Sequence, residues 1–325
     1  MLVSINMVQD ARETAGNSDA ALKVGLIVNH EEQPGLGPPR WTDVRAVAEE
    51  AEQAGFDSLW LVDHFLWRSD PWRREGVEGP LGVLECWTTL AALASVTSRP
   101  QLGTLVTCTA HRHPALLAKM ADSVDEVSGG RLILGLGAGD YEPEHQMLGH
   151  SFERRVGRFE EALQIIVPLL RTGSVDFIGE FYEARDFELR PRGPRPNGPP
   201  IMIGALAHRP RMLRLITQFA NMWNIWVGGS YELEETDAFV AAVEAACREH
   251  GRDPATLGRS AMLAVAFEGP MTERRAVIRG APDEIADAIA AFGRRGFDHI
   301  QIGLFPTTRD SVRSFAPILA RVRAG

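Results

Sequence analysis

The chain has 325 residues, of which 45% are hydrophobic and 24% charged, and its formal net charge is -9. These values are typical of a globular protein and exclude a disordered or fibrous chain. Nucleic acid is not an expected partner, because proteins that bind it usually carry a basic surface. No segment reaches the roughly 18 consecutive apolar residues of a membrane span. Residues 1–21 are charged where a secretory signal would be apolar, so we expect a cytoplasmic protein with a flexible tail over 1–21 and a single domain over 22–325.

The first half of the domain alternates short apolar segments with amphipathic ones. The apolar segments predict strands at 22–28, 58–64, 102–109 and 131–139. The amphipathic segments predict helices at 42–54, capped by Thr42 and ended by Gly55, and at 85–96, 114–127 and 152–170. The strands are continuously apolar rather than alternating, which indicates a parallel sheet covered on both faces.

The second half repeats this order after an interruption at 173–200, which reads as a hairpin insertion. Further strands are predicted at 201–204, 222–227, 261–267 and 299–305, and helices at 210–219, 233–250, 282–292 and 309–323. Eight strand–helix units predict an α/β protein folded as a (β/α)8 TIM barrel, whose usual length is about 250 residues before insertions. An open doubly wound sheet is the alternative, but the chain lacks the glycine fingerprint that opens such folds.

Polar residues at the carboxyl ends of the strands are the candidates for chemistry, because TIM barrels carry their active sites there. Asp63 and His64 end a buried strand, so this charged pair needs a partner or a ligand. Glycines at 135, 137 and 139 lack the spacing of a dinucleotide loop and instead indicate that something flat packs closely on the barrel mouth. The turn at 204–208 is either a phosphate site at a helix N-terminus or an ordinary strand-to-helix turn.

The histidines and cysteines show no metal-binding pattern in the sequence. His111 and His113 stand in a loop directly before Pro114, which favours capping or surface positions. Glu144 and His145 lack the helical spacing of a zinc protease. Cys108 has no catalytic base beside it in the sequence and is expected to line the site. We therefore expect no bound metal.

Three segments together resemble the luciferase-like flavin and deazaflavin oxidoreductase superfamily. They are 59–65 (LWLVDHF), 102–114 (LGTLVTCTAHRHP) and 128–139 (SGGRLILGLGAG). Looser matches follow at 201–204, 223–224 and 296–298. The resemblance extends from residue 22 to about 321 and is strongest to the branch that uses the deazaflavin coenzyme F420.

This resemblance implies a cofactor ring lying over the barrel mouth, against a bulge with a cis peptide bond at Leu105–Val106. Asp63 would accept a hydrogen bond from the cofactor, and His64 would face the reacting ring. Asp140 stands where related deazaflavin enzymes carry a glutamate proton donor, and Glu31 occupies another acidic position over the site. The implied catalytic residues are His64, Asp140 and Glu31, and the implied cofactor-binding residues are Asp63, Leu105, Val106, Thr107, Gly137, Ala138, Gly139, Gly204, Ala205, Leu206 and Ala207.

The function expected from the resemblance is hydride transfer between C5 of F420 and a small organic substrate. The main alternative is an FMN-dependent luciferase-like monooxygenase that uses O2 and a separate flavin reductase. Members of that kind tend to supply an arginine from the turn after strand four, where this chain has Ala138 and Gly139. A non-catalytic flavin-binding barrel is the second alternative. Trp67 and Trp72 either wall the substrate pocket or pack their loop on the barrel, and a homodimer or higher homo-oligomer is expected because relatives commonly pair.

Overall fold

The computed structural model describes residues 21–33, 37–68, 79–205, 209–227, 233–267 and 277–324. The predicted tail therefore lies almost wholly outside the described residues. None of the helices within these ranges is both long and apolar enough to cross a membrane.

The core of the fold is a closed barrel of parallel strands, as predicted. Its strands are β1 (Lys23–Ile27), β2 (Ser58–Leu61), β3 (Gln101–Thr104), β4 (Leu132–Gly137), β5 (Ile201–Gly204), β6 (Met222–Trp226), β7 (Gly258–Ala266) and β8 (His299–Phe305). Each strand pairs in parallel with the next one along the chain, and β8 returns to pair with β1. This closure confirms the TIM barrel and excludes the open sheet.

Helices follow the strands and cover the outside of the barrel. They are α1 (Trp41–Ala54), α2 (Cys86–Val96), α3 (Pro114–Ser128), α4 (Glu142–Met147), α5 (Arg155–Thr172), α6 (Pro210–Phe219), α7 (Leu233–Glu249), α8 (Pro282–Arg294) and α9 (Arg309–Ala324). The predicted cap of α1 is wrong, because the helix begins before Thr42 and its N-cap is Arg40, which makes no side-chain cap bond. Gly55 ends α1 at φ 92°, as predicted.

Among the described residues, two antiparallel strand pairs lie outside the barrel sheet. Strands Ser174–Ile178 and Glu183–Glu188 form the predicted hairpin of the 173–200 insertion. Strands Leu66–Trp67 and Leu81–Gly82 pair within the segment that follows β2. Short α4, in the segment after β4, was not predicted, because six residues are too few to show a helical period.

The large side chain of Trp60 fills much of the barrel interior. Glycines on the two neighbouring strands leave room for it. Trp60 on β2 is fully buried, and its indole N–H donates to Ser58 Oγ at 2.7 Å. A Cβ on Gly25 of β1 would lie 2.5 Å from the indole nitrogen, and a Cβ on Gly103 of β3 would overlap the ring. Trp60 packs with Ile133, Met202 and the residues of the bulge after β3. A filled interior leaves the carboxyl-terminal mouth as the place for a ligand.

Candidate active site

A cavity of about 660 Å³ opens at the carboxyl ends of the barrel strands. Most of the residues predicted for the site line it, namely Glu31, Asp63, His64, Leu105, Val106, Gly137, Ala138, Gly139, Asp140, Gly204 and Ala205. Thr107 is not among the lining residues; it is buried, and its hydroxyl oxygen accepts the indole N–H of Trp87 at 3.2 Å. Leu206 and Ala207 lie outside the described residues.

The floor of the cavity is an apolar bulge that follows β3. The peptide bond between Leu105 and Val106 is cis, as the resemblance implied. A Cβ on Gly137 would lie 2.7 Å from one methyl group of Val106, and a Cβ on Gly204 would lie 3.1 Å from the other. Glycine at both positions therefore lets the Val106 side chain pack down against β4 and β5. A flat aromatic ligand can rest on the resulting surface.

Asp63, whose position predicted a partner or a ligand, has a partner in Arg112. Its two carboxylate oxygens accept hydrogen bonds from Arg112 at 2.7 and 3.0 Å, and Arg112 also donates to Glu85 at 2.5 Å. Burial raises the pKa of Asp63, and the Arg112 guanidinium opposes that rise. Asp63 is thus held rigidly in the cavity wall, and its hydrogen bond to a cofactor stays a prediction.

His64 is paired with a carboxylate that the sequence did not single out for this role. Its Nδ1 lies 2.8 Å from Glu144 Oε2, and Glu144 is 1% exposed. The other Glu144 oxygen accepts the backbone N–H groups of Phe65 and Leu66 at 2.5 and 3.2 Å. Because α4 turns Glu144 back over the end of β2, this residue fixes both the imidazole and the backbone next to it.

The pairing sets the protonation of both partners. Burial disfavours the charged imidazole, but the hydrogen bond and charge of Glu144, with further contributions from Asp140 and Glu31, raise the pKa of His64 overall. Burial likewise disfavours the Glu144 carboxylate, but its bonds from His64 and the two backbone amides lower its pKa overall. With Nδ1 engaged by Glu144, Nε2 is the ring nitrogen that this pair leaves unused.

Aromatic side chains pack against the imidazole. The ring centroids of His64 and Trp67 are 3.8 Å apart, and that of Tyr141 is 4.9 Å from Trp67. The Tyr141 hydroxyl oxygen accepts the backbone N–H of Arg68 at 2.8 Å. Of the two alternatives predicted for the tryptophans, Trp67 follows the first, because it lines the cavity. Trp72 lies outside the described residues.

Cys108, His111 and His145 meet in the cavity wall. The Cys108 sulfur lies 3.8 Å from His145 Nε2, and one potential ligand atom from each residue lies within 4.8 Å of the others. The surface or capping position expected for His111 is wrong, because its side chain is only 2% exposed. His113 does cap, since its Nδ1 accepts the backbone N–H of Ala115 at the start of α3. The cluster escaped the sequence because its members come from segments that only the fold brings together.

The guanidinium groups of Arg155 and Arg209 also belong to residues that line the cavity. Arg155 begins α5, and Arg209 immediately precedes α6. A helix N-terminus favours negative charge, because its backbone N–H groups are unpaired and its dipole is positive there. The lining therefore combines an apolar floor, a histidine–glutamate pair and guanidinium groups suited to an anion.

Comparison with known proteins identifies the family. Residues 22–278 match the family described as luciferase-like monooxygenase. The chain is 36% identical over 181 residues to the F420-dependent glucose-6-phosphate dehydrogenase of Amycolatopsis mediterranei, covering 54% of this chain and 50% of that relative. It is 31% identical over 248 residues to the F420-dependent hydroxymycolic acid dehydrogenase of Mycobacterium tuberculosis, covering 75% of this chain and 62% of that relative.

A solved structure shares the fold over nearly its whole length. An F420-dependent secondary alcohol dehydrogenase in complex with an F420-acetone adduct superposes with a TM-score of 0.75 at 17% identity, covering 93% of this chain and 99% of that one. The chain spans between half and two thirds of the length of the two curated relatives named above. The family match, in contrast, extends over most of the chain, which therefore belongs to the luciferase-like monooxygenase family.

Proposed function

We propose that this protein is an oxidoreductase that uses coenzyme F420 and transfers a hydride between the deazaflavin C5 and a small organic substrate. The observation that carries the proposal is the His64–Glu144 pair standing in the same cavity as the apolar bulge at Leu105–Val106. Curated relatives with F420-dependent dehydrogenase names support it. A catalytic role distinguishes it from a non-catalytic flavin-binding barrel, which has no need of a titratable pair at this place.

The lining residues fit such a cofactor by their chemistry. Leu105 and Val106 offer an apolar surface for a flat ring. Gly137 and Gly204 have no side chain that would push Val106 up into the cavity. Arg155 and Arg209 offer guanidinium groups to an anionic portion of the molecule. When bound, F420 supplies the hydride donor or acceptor, and the protein contributes orientation and proton handling.

His64 is the group that we assign to proton transfer. An alcohol that gives up a hydride must also lose its hydroxyl proton, and the reverse reduction must gain one. Glu144 holds Nδ1, which fixes the ring orientation and leaves Nε2 to take or give that proton. Asp140 and Glu31 line the same cavity and are the further acidic groups that we assign to the site.

The cofactor assignment is tested by titrating the purified protein with F420 and with FMN at fixed ionic strength. We expect micromolar binding of F420 and much weaker binding of FMN. Arg155→Ala should weaken F420 binding, whereas Arg185→Ala, in the hairpin insertion, should not. Tight FMN binding with oxygen uptake in the presence of a flavin reductase would support the monooxygenase instead. Binding of neither compound would refute the cofactor assignment.

The catalytic assignment is tested by steady-state kinetics with F420 and a panel of primary and secondary alcohols. His64→Ala should keep F420 binding and lose about 100-fold or more in kcat, the usual contribution of a general acid or base. His113→Ala, which removes a helix cap, is the matched control and should keep kcat. An unchanged kcat in His64→Ala would remove that residue from the mechanism, and cofactor binding with no turnover on any substrate would favour a binding protein.

A further inference from the structure

A second set of reactive side chains lies in the cavity wall beyond the His64–Glu144 pair. Cys108, His111 and His145 come from the end of the bulge, the turn before α3 and helix α4. Cys108 is 5% exposed and His145 is 1% exposed. These residues take no part in the hydride-transfer function proposed above.

The spacing of the three side chains is close to that of metal ligands. Zinc sites with sulfur and nitrogen ligands have bonds of about 2.3 and 2.0–2.1 Å, which places tetrahedral ligand atoms about 3.3–3.6 Å apart. The Cys108 sulfur and His145 Nε2 are 3.8 Å apart, and all three ligand atoms lie within 4.8 Å of one another. Shifts of about 1 Å, within the reach of small side-chain rotations, would complete the geometry.

Glycine at position 139 keeps two of these ligand atoms uncovered. Its φ is +82°, and a Cβ there would lie 2.5 Å from His145 Nε2 and 2.6 Å from the Cys108 sulfur. Any other residue would therefore press on both atoms. The close approach of the backbone to this cluster requires glycine.

No hydrogen bond at Nδ1 fixes either imidazole of the cluster. Among the described residues, Nδ1 of His111 and Nδ1 of His145 are buried and have no hydrogen-bond partner, so small ring rotations toward a shared metal break no bond there. His111 Nδ1 lies 4.0 Å from Asp63 Oδ2, which is the side on which histidine ligands usually meet an orienting carboxylate. His111 would then present Nε2 to a metal, and His145 would present the Nε2 that lies beside Cys108.

We propose that Cys108, His111 and His145 form a binding site for a thiophilic divalent cation such as Zn²⁺. Three protein ligands leave a fourth coordination position, and it faces the cavity because all three residues line it. Binding converts the Cys108 thiol to a thiolate, and the displaced proton leaves to solvent. This site departs from the sequence expectation of no metal, which considered residues that lie close together along the chain.

The experiment is titration of the EDTA-dialysed full chain, without F420, with Co²⁺ and then with Zn²⁺. We expect a thiolate-to-cobalt charge-transfer band that saturates at one equivalent and is lost on adding Zn²⁺. Cys108→Ser should lose the band, whereas Cys247→Ser, which removes another buried cysteine, should keep it. His145→Ala should weaken Co²⁺ binding at least tenfold.

Proton release provides a second measurement that does not depend on spectroscopic bands. Zinc binding in weakly buffered solution at pH 7 should release about one proton from the wild-type chain and none from Cys108→Ser, with circular dichroism checking that each variant is folded. Absence of a cobalt band in the wild-type chain, or a band that persists in Cys108→Ser, would overturn the proposal. Because no F420 is present, such a failure says nothing against the proposed oxidoreductase.

Discussion

Replacing Glu144 with glutamine removes the charge that holds His64 while keeping the side-chain shape. Glutamine can still accept the backbone N–H groups of Phe65 and Leu66 through its carbonyl oxygen, so the main loss is the charged bond with His64. A hydrogen bond to a charged group contributes about 1.5–3 kcal/mol. We expect the His64–Glu144 bond to contribute an energy within that range, because Glu144 is 1% exposed and the His64 side chain is 18% exposed. For a chain of 325 residues this loss lowers Tm by about 2–4 °C.

The loss depends on pH, and its sign follows from the two pKa shifts. The pKa of His64 is raised in the folded chain, so its contribution to stability is complete below the ordinary histidine value and is lost as pH rises through the folded value. The pKa of Glu144 is lowered, so its contribution is complete above the ordinary glutamate value and is lost as pH falls through the folded value. The difference between wild type and Glu144→Gln is therefore largest between pH 4.5 and 6.5.

The assay is thermal and urea unfolding of both proteins from pH 5 to 9, with histidine NMR titration of His64. Glu144→Gln should lower the pKa of His64 and should shift the acidic limb of any kcat profile in the same direction. Glu183→Gln is the control, since its partner Arg185 and Glu183 itself are both more than half exposed and such pairs contribute little. Equal stability of Glu144→Gln and wild type at pH 6, or an unchanged pKa of His64, would refute the reasoning.

Two further substitutions test the barrel interior and the cavity wall. Gly103→Ala should destabilise the chain by about 1–3 kcal/mol, because the new Cβ overlaps the Trp60 ring, and thermal unfolding measures the loss. Ala92→Ser on α2 is the control. If Ala92→Ser and Gly103→Ala lowered the free energy of unfolding equally, the packing argument would be contradicted. Arg112→Met should cost about 3–5 kcal/mol by leaving Asp63 buried without its partner. Without the guanidinium the pKa of Asp63 rises further, so that cost should grow as pH rises above the pKa of Asp63 in the folded wild-type chain, which itself lies above 3.8. A pH-independent cost in urea unfolding would argue against this origin.

Much of the barrel was predictable, because continuous apolar segments and helical spacing are local signals. Strands β5 and β8 and helix α6 have the predicted bounds, and the cis bond was correctly placed through the resemblance. The third strand is shorter than its apolar segment: β3 ends at Thr104, and the chain then bends through the bulge into the short strand Thr107–Cys108. Hydrophobicity continues through this bend because both sides are buried, so the pattern contains no sign of it.

The site was predicted in outline but not in its pairings. Strand-end position identified Asp63, His64 and Asp140 because the barrel brings all strand ends to one mouth. The partners Arg112 and Glu144 lie 49 and 80 residues from Asp63 and His64, so only the folded chain joins them. A sequence can show that a buried charge needs a partner, but the choice of partner depends on loops whose conformation has no periodic signal.

The segment around α4 gathers contacts to several separate parts of the cavity. Tyr141 contacts Trp67, Glu144 binds His64, and His145 lies beside Cys108, all within five consecutive residues. A length change here would disturb the pocket wall, the histidine pair and the cysteine–histidine cluster at the same time. A single substitution can alter one of these three features alone, whereas an insertion or deletion would alter all three. Engineering of this barrel should therefore exchange the whole segment rather than lengthen or shorten it.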